Sequence, residues 1–164
     1  MAVMELLVLA DTHLRAGLDL PPAVLDALGR ADAVLHAGDV TSAQALGELE
    51  TAAPTYAVLG NNDLGLVGVL PDELSVELEG VRIALVHNSG DRRGRAPRLH
   101  RRFPLAGLVV FGHSHVPVDE AGIGTQLLFN PGSPTQRRAQ PVRTFGWVSL
   151  ADGRVVTRRV VPIE

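Results

Sequence analysis

Seven side chains able to bind a metal sit just beyond five separate apolar runs: Asp11, His13, Asp39, Asn61, His87, His113 and His115. Leu6–Ala10 runs into Asp11-Thr12-His13, and Ala33–Ala37 into Gly38-Asp39. Tyr56–Leu59 leads to Gly60-Asn61-Asn62-Asp63, Ile83–Val86 to His87, and Leu108–Phe111 to Gly112-His113-Ser114-His115. In α/β proteins the carboxyl ends of the strands form one rim, where ligands bind. Residues a hundred positions apart are therefore expected to meet on one edge. Asp11 with His13, and His113 with His115, are two apart, and in extended backbone such residues point to the same side. Each pair would then present two ligands together.

The chain has no cysteine, so a metal would have to use imidazole, carboxylate and amide ligands. That donor set suits Mn, Fe, Zn, Co or Ni better than an oxygen-loving ion such as Ca. Seven ligands exceed the four of one tetrahedral site. Two ions sharing a carboxylate account for the number, and such a pair can clamp the attacking and leaving oxygens of a phosphoryl transfer. Taken singly, each residue has a plainer reading. An aspartate after a strand commonly caps a helix, and a lone histidine is commonly structural. The joint placement of all seven is what favours the metal.

Strand-like and helix-like segments alternate through the first two-thirds. The pattern predicts a helix over Leu20–Ala31 with Pro21 and Pro22 in its first turn. It predicts a second over Ser42–Thr51, capped by Thr41 and ended by Pro54. Leu74–Glu79 alternates apolar and polar residues, and Gly80 separates it from Val81–Val86, the signature of a hairpin. A short helix is expected around Pro97–Phe103. The remainder reads as strands at Val116–Glu120, Gln126–Phe129, Thr144–Leu150 and Val155–Val161, the last two joined by a turn at Asp152-Gly153.

At 164 residues, with 46% apolar and 20% charged, the composition is that of a globular domain with a sizeable core. Glu5 interrupts the first apolar stretch and no basic segment precedes it, so no signal peptide or membrane span is expected and the location reads as cytoplasmic. The net charge of −3 is unevenly spread. Residues 1–81 carry 13 acids against Arg15 and Arg30, whereas residues 82–164 carry 13 arginines against five acids. The cluster Arg92, Arg93, Arg95, Arg98, Arg101 and Arg102 either attracts a phosphate-bearing substrate or forms a solvated surface.

Asp11-Thr12-His13, Gly38-Asp39, Gly60-Asn61-Asn62-Asp63, His87 and Gly112-His113-Ser114-His115 together resemble the ordered motifs of the calcineurin-like metallophosphoesterase superfamily. The compact length, the missing cap and Asn130-Pro131-Gly132-Ser133 resemble its small prokaryotic phosphodiesterase branch, to which the retromer scaffold subunit is related. The resemblance spans nearly the whole chain. It implies an α/β fold, a two-sheet mixed β-sandwich flanked by helices, forming a single domain over residues 1–164 with its metal site at the C-terminal strand edges.

The resemblance also implies two divalent transition-metal ions, Mn first and Ni, Fe, Co or Zn as alternatives. One would take Asp11, His13, Asp39 and His115, and the other Asp39, Asn61, His87 and His113, with Asp39 as the bridge. Asn62 and Asp63 fall beside these ligands, and Asp63 could orient a neighbour. His36 is expected behind the ligands or in the core, and His100 in solvent. Two departures stand out. Larger members carry a histidine where this chain has Asn62, and an amide cannot protonate a leaving group near neutral pH. Relatives commonly carry Gly-His after the ligand His87, where this chain has Asn88-Ser89-Gly90.

The expected reaction is hydrolysis of a phosphodiester by a metal-bridging hydroxide attacking phosphorus in line, without a covalent enzyme intermediate. His13, Asn62 and Asp63 are the candidate catalytic side chains, His13 being the remaining one for the leaving-group proton. Asn130–Ser133 reads as a fixed turn in preference to an amide cradle, and Thr135–Arg143 as a loop bordering the substrate. The partner is a phosphodiester substrate, with nucleic acid entering only as substrate and no membrane. The oligomeric state is not set by the sequence. The rival reading is a non-catalytic interaction scaffold of the same fold.

Overall fold

The central strand β1 (Met4–Leu9) shows why the chain folds in layers. Alternate side chains on a strand face opposite ways. In the computed structural model, which describes residues 2–164, Leu6 and Val8 pack into a core between two sheets, while Leu7 and Leu9 pack against helices. The same alternation recurs in β5 (Val81–Val86), where Ile83 and Leu85 face the inter-sheet core and Ala84 and Val86 the opposite side. Strands buried on both faces read as continuous apolar runs, which is how they appear in the sequence.

The first sheet has the order β10-β9-β1-β2-β3 and the second β4-β5-β6-β8-β7. In the first, β1 is parallel to β2 (Ala33–His36), which is parallel to β3 (Thr55–Ala57). Antiparallel β9 (Arg143–Ala151) and β10 (Arg154–Ile163) complete it. In the second, β5, β6 (Leu108–Val110) and β8 (Leu127–Asn130) are parallel. Its edges are antiparallel β4 (Glu73–Leu78) and β7 (Val118–Ala121). Helices α1 (Pro22–Arg30) and α2 (Ala43–Ala52) cover the first sheet with Val24, Ala27, Leu46 and Leu49. Helix α3 (Arg95–Arg102) covers the second with Leu99. The expected two-sheet mixed sandwich flanked by helices is therefore present, with one core between the sheets and further cores beneath the helices on the outer faces.

Truncating a wholly buried residue of that core, such as Leu35, would cost about 2–5 kcal/mol through lost burial and the cavity left behind. The β4–β5 and β9–β10 hairpins turn on Glu79-Gly80 and Asp152-Gly153, and all four residues have positive φ, as two-residue type I′ turns require.

Two local expectations shift. The cap of α2 is Ser42, not Thr41: the Ser42 Oγ accepts the Ala45 N–H at 3.1 Å from the extended backbone an N-cap needs. Thr41 has φ 68° and donates its hydroxyl to the Leu14 carbonyl at 2.6 Å, tying the loop after β2 to the loop after β1. Helix α3 starts at Arg95, with Pro97 inside the first turn where its missing N–H is harmless. No helix among the described residues is long and apolar enough to cross a membrane.

Candidate metal centre

All five loops that carry the candidate ligands leave the carboxyl ends of parallel strands, three in the first sheet and two in the second. The sandwich brings these two edges together. The ligand pairs do not use extended backbone, however. Asp11 (φ 54°), His13 (φ 44°), Asp39 (φ 62°), His113 (φ 74°) and His115 (φ 61°) are all left-handed. Asp and His tolerate this region better than most residues, yet each such position still costs on the order of 1–3 kcal/mol. Tertiary contacts must hold it.

Those contacts are specific. The Asp63 carboxylate is buried and accepts the N–H groups of Asp39 (2.9 Å), Gly60 (2.8 Å) and Thr41 (2.7 Å). Both its oxygens are thereby engaged, and Asp63 holds the Asp39 loop against the Gly60 loop. Behind it, His36 is wholly buried: its Nδ1 accepts the Gly38 N–H at 3.2 Å, so Nε2 carries the proton toward the Thr12 hydroxyl at 3.0 Å. Burial pushes the His36 pKa down to about 3, with His87 adding to the effect. Any Cβ on Gly60 would collide with the Asp39 carboxylate, and one on Gly38 would lie 2.6 Å from His87 Nδ1. Glycine is required at both.

The histidines arrive with their tautomers set. His87 Nδ1 can only donate to the Ala37 carbonyl, at 2.7 Å, which in the neutral ring leaves the lone pair on Nε2. His115 Nδ1 likewise donates to the Gln136 carbonyl at 3.1 Å. A ligating imidazole is commonly oriented this way through its other nitrogen. His87 Nε2 then faces Asp39 Oδ2 (3.5 Å), Asp11 Oδ1 (3.9 Å) and Asn61 Oδ1 (2.9 Å). His115 Nε2 faces Asp11 Oδ1 (3.6 Å) and His13 Nε2 (3.3 Å). His13 Nε2 stands 3.6 Å from Asp39 Oδ2. His113 Nδ1 lies 3.1 Å from Asn61 Oδ1 and 3.3 Å from His87 Nε2.

These separations suit a cation in the middle. Two donors each about 2.1 Å from one tetrahedral ion lie about 3.4 Å apart. Asp11 Oδ1 is buried with no hydrogen-bond partner, which is costly for a carboxylate unless a cation neutralises it. Two clusters emerge, Asp11 with His13 and His115, and Asp11 with Asp39 and His87. Asp11 belongs to both clusters, and Asp39 Oδ2 lies near one histidine of each, 3.6 Å from His13 Nε2 and 3.5 Å from His87 Nε2. The residues fit the metal chemistry expected of them.

Charge states follow from burial and neighbours. Burial raises the Asp11 pKa to about 7, with Asp39 adding to the effect and His87 opposing it. For Asp39, burial acts upward but hydrogen bonds with His87 and Asn62 outweigh it and hold the carboxyl well below its usual range. Burial lowers His13, His113 and His115, and the nearby Arg138 cation pushes the same way. His87 rises despite burial, because Asp39 and the Ala37 carbonyl stabilise its charged form.

Asn62 clamps Asp39, its N–H on Oδ1 and its side-chain amide on Oδ2, both at 2.9 Å. The Asn130–Ser133 segment is a fixed turn: Asn130 Oδ1 accepts the Gly132 N–H, and the Ser133 hydroxyl donates to the Asp11 carbonyl at 2.8 Å. Thr135 adds a hydrogen bond to the Thr12 carbonyl, so the 133–136 loop braces the Asp11–His13 corner. Sequence reasoning did not find the Gln136 carbonyl or the electrostatic reach of Arg138, and no side-chain motif could have marked a carbonyl.

The arginine cluster divides. Arg95 stacks over Phe111 at 5.0 Å and bonds Ser89 Oγ at 3.1 Å. Arg98 donates to the Ser89 and Asp91 carbonyls, and Arg102 pairs with Glu73 at 2.7 Å. Arg92, Arg93 and Arg101 remain exposed. His100, expected in solvent, is half-buried with an unpartnered Nδ1.

Comparison with known proteins agrees with this geometry. A "Probable metallophosphoesterase" of Methanothermobacter thermautotrophicus is 39% identical over 136 residues, covering 80% of this chain and 77% of the relative. Vacuolar protein sorting 29 from Cryptosporidium parvum superposes with a TM-score of 0.78 at 20% identity, over 98% of this chain and 99% of that one. A structure described as a novel archaeal phosphodiesterase superposes with a TM-score of 0.69 at 21% identity, over 96% of this chain and 100% of that one. Residues 4–153 match the calcineurin-like phosphoesterase superfamily domain, and the chain belongs to that family.

Proposed function

We propose that the chain is a phosphodiesterase working with two divalent transition-metal ions, Mn foremost. One observation carries the reading: the unpartnered, buried Asp11 Oδ1 faces imidazole nitrogens whose tautomers are already fixed for ligation. Asp11, His13, Asp39 and His115 would hold one ion, and Asp39, Asn61, His87 and His113 the other. When bound, such a pair supplies Lewis acidity at the phosphoryl oxygens and activates water near neutral pH.

The chain's own residues do the rest. Asp63 and His36 keep the Asp39 loop in place, and the Ala37 and Gln136 carbonyls keep His87 and His115 aimed. The Asn62 amide can donate a hydrogen bond to a bound phosphoryl group but has no proton to give a leaving group. His13 directs Nε2 into the cluster, so that nitrogen is committed to ligation, and only its Nδ1 could carry a proton. A diester whose leaving group needs little protonation suits this arrangement better than an alkyl monoester. The exposed Arg138, whose charge is felt at the ligand histidines, is the cation best placed to attract the anionic substrate.

The test is an assay of an activated aryl phosphodiester after chelator stripping, with Mn, Ni, Co, Mg or no metal restored. Metal-dependent turnover with bound metal is expected, and Asp39→Asn should reduce kcat at least about 100-fold. Absence of turnover together with less than one metal per chain would leave the scaffold reading in its place.

A further inference from the structure

A cleft of about 680 Å³ opens beside the metal centre, between the segment that follows His87 and the chain from His113 to Glu120. Its size is that of a small-molecule site. The ligand residue His113 forms part of its wall, and so does Asn88, next in sequence to the ligand His87. A phosphoryl group held at the ligands would therefore direct one ester substituent into it. We propose that the cleft is the subsite for an organic ester group of the substrate, and that it takes an uncharged, hydroxylated ring group of nucleoside size. The inference rests on the phosphodiesterase reading and names the substrate class for it.

The lining chemistry carries the choice. Val116, Pro117 and Val118 provide an apolar strip for the face of a ring. Asn88 uses its carbonyl on the Gly90 N–H at 2.8 Å, which leaves its amide hydrogens for a ligand. The Asp91 carboxylate makes no ion pair or side-chain hydrogen bond among the described residues and can accept from hydroxyls. Glu120 is tied to Arg95 at 3.6 Å, and Asp119 to Arg158. The walls hold three carboxylates, Asp91, Asp119 and Glu120, against two guanidiniums, Arg92 and Arg95. There is no net positive charge to hold a second phosphate, so a polyanionic chain is disfavoured.

The test uses Mn-loaded protein and calorimetric titration with thymidine 5′-monophosphate, ribose 5-phosphate, methyl phosphate and thymidine 3′,5′-bisphosphate, alongside turnover of the corresponding p-nitrophenyl esters. Thymidine monophosphate should bind at least about tenfold tighter than methyl phosphate, and the bisphosphate no tighter than the monophosphate. Ribose 5-phosphate matching the nucleotide assigns the preference to the sugar; an intermediate value assigns part of it to the base. Val116→Trp, at an exposed position, should bring the nucleotide down to the methyl phosphate level. Asp91→Arg should strengthen bisphosphate binding about fivefold or more. Equal affinity for nucleotide and methyl phosphate, or tighter binding of the bisphosphate by the unaltered protein, would overturn the subsite. Selective binding without turnover of any ester would instead defeat the catalytic reading and leave the subsite standing.

Discussion

One oxygen of Asp63 accepts the backbone N–H of Asp39 at 2.9 Å while also accepting that of Gly60 at 2.8 Å. This buried carboxylate thus locks the loops after β2 and β3 to each other. Asp63→Ala would leave buried N–H groups unpaired, each costing about 1–3 kcal/mol. The expected loss is about 2–4 kcal/mol of stability and 10–100-fold in Mn affinity. Denaturant unfolding and a metal titration against a competing chelator would measure both. Unchanged metal affinity would contradict the positional role.

Metal binding should be strongly pH-dependent. With its pKa raised to about 7 by burial, Asp11 is largely protonated in the metal-free protein at pH 6 and must lose that proton to ligate. Affinity should therefore fall about tenfold per pH unit below pH 7 from this group alone. Calorimetry in buffers of different ionisation enthalpy should show more proton release at pH 6 than at pH 8, Asp11 and the raised His87 both contributing. For the metal-free fold the sign is opposite: a carboxyl raised from 3.8 to about 7 contributes stability below pH 3.8 that is lost as pH rises through 7.

His36 acts in the other direction. Its folded pKa is depressed from 6.5 to about 3, so the neutral ring contributes stability that is present above pH 6.5 and lost as pH falls toward 3. His36→Asn keeps an acceptor for the Gly38 N–H but does not titrate. The variant should be less stable than the parent at pH 7 and lose less stability between pH 6.5 and 4. Parallel pH profiles of Tm would refute this account.

Arg98 and Arg101 are neighbours in one cluster with different fates. Arg98 donates to the Ser89 carbonyl at 2.9 Å and the Asp91 carbonyl at 2.5 Å, while Arg101 is exposed. Arg98→Ala should cost about 1–3 kcal/mol and loosen the segment carrying Asn88, whereas Arg101→Ala should change stability by less than about 0.5 kcal/mol. Thermal unfolding and hydrogen exchange at residues 88–91 would separate them. An equal, small effect would return Arg98 to the solvated surface.

The strands were legible because burial on both faces writes itself as unbroken apolar runs, as in Leu6–Ala10 and Ile83–Val86. Ligand identity was legible for a related reason, since few residue types bind metals and they follow those runs at recognisable places. The residues themselves thus marked the strands, the rim and the candidate donors, and the family resemblance carried by their motifs implied the sandwich. It could not show that five of those donors stand in left-handed backbone, because that strain is held by contacts from other loops, such as Asp63 on Asp39 and Ser133 on Asp11. Nor could it give the tautomers of His87 and His115, set by the carbonyls of Ala37 and Gln136, groups every residue carries. Which arginines remain free was likewise decided by packing, as Arg95 on Phe111 shows. Side-chain type is written locally, whereas orientation and protonation depend on neighbours distant in the chain, and only the folded sandwich supplies them.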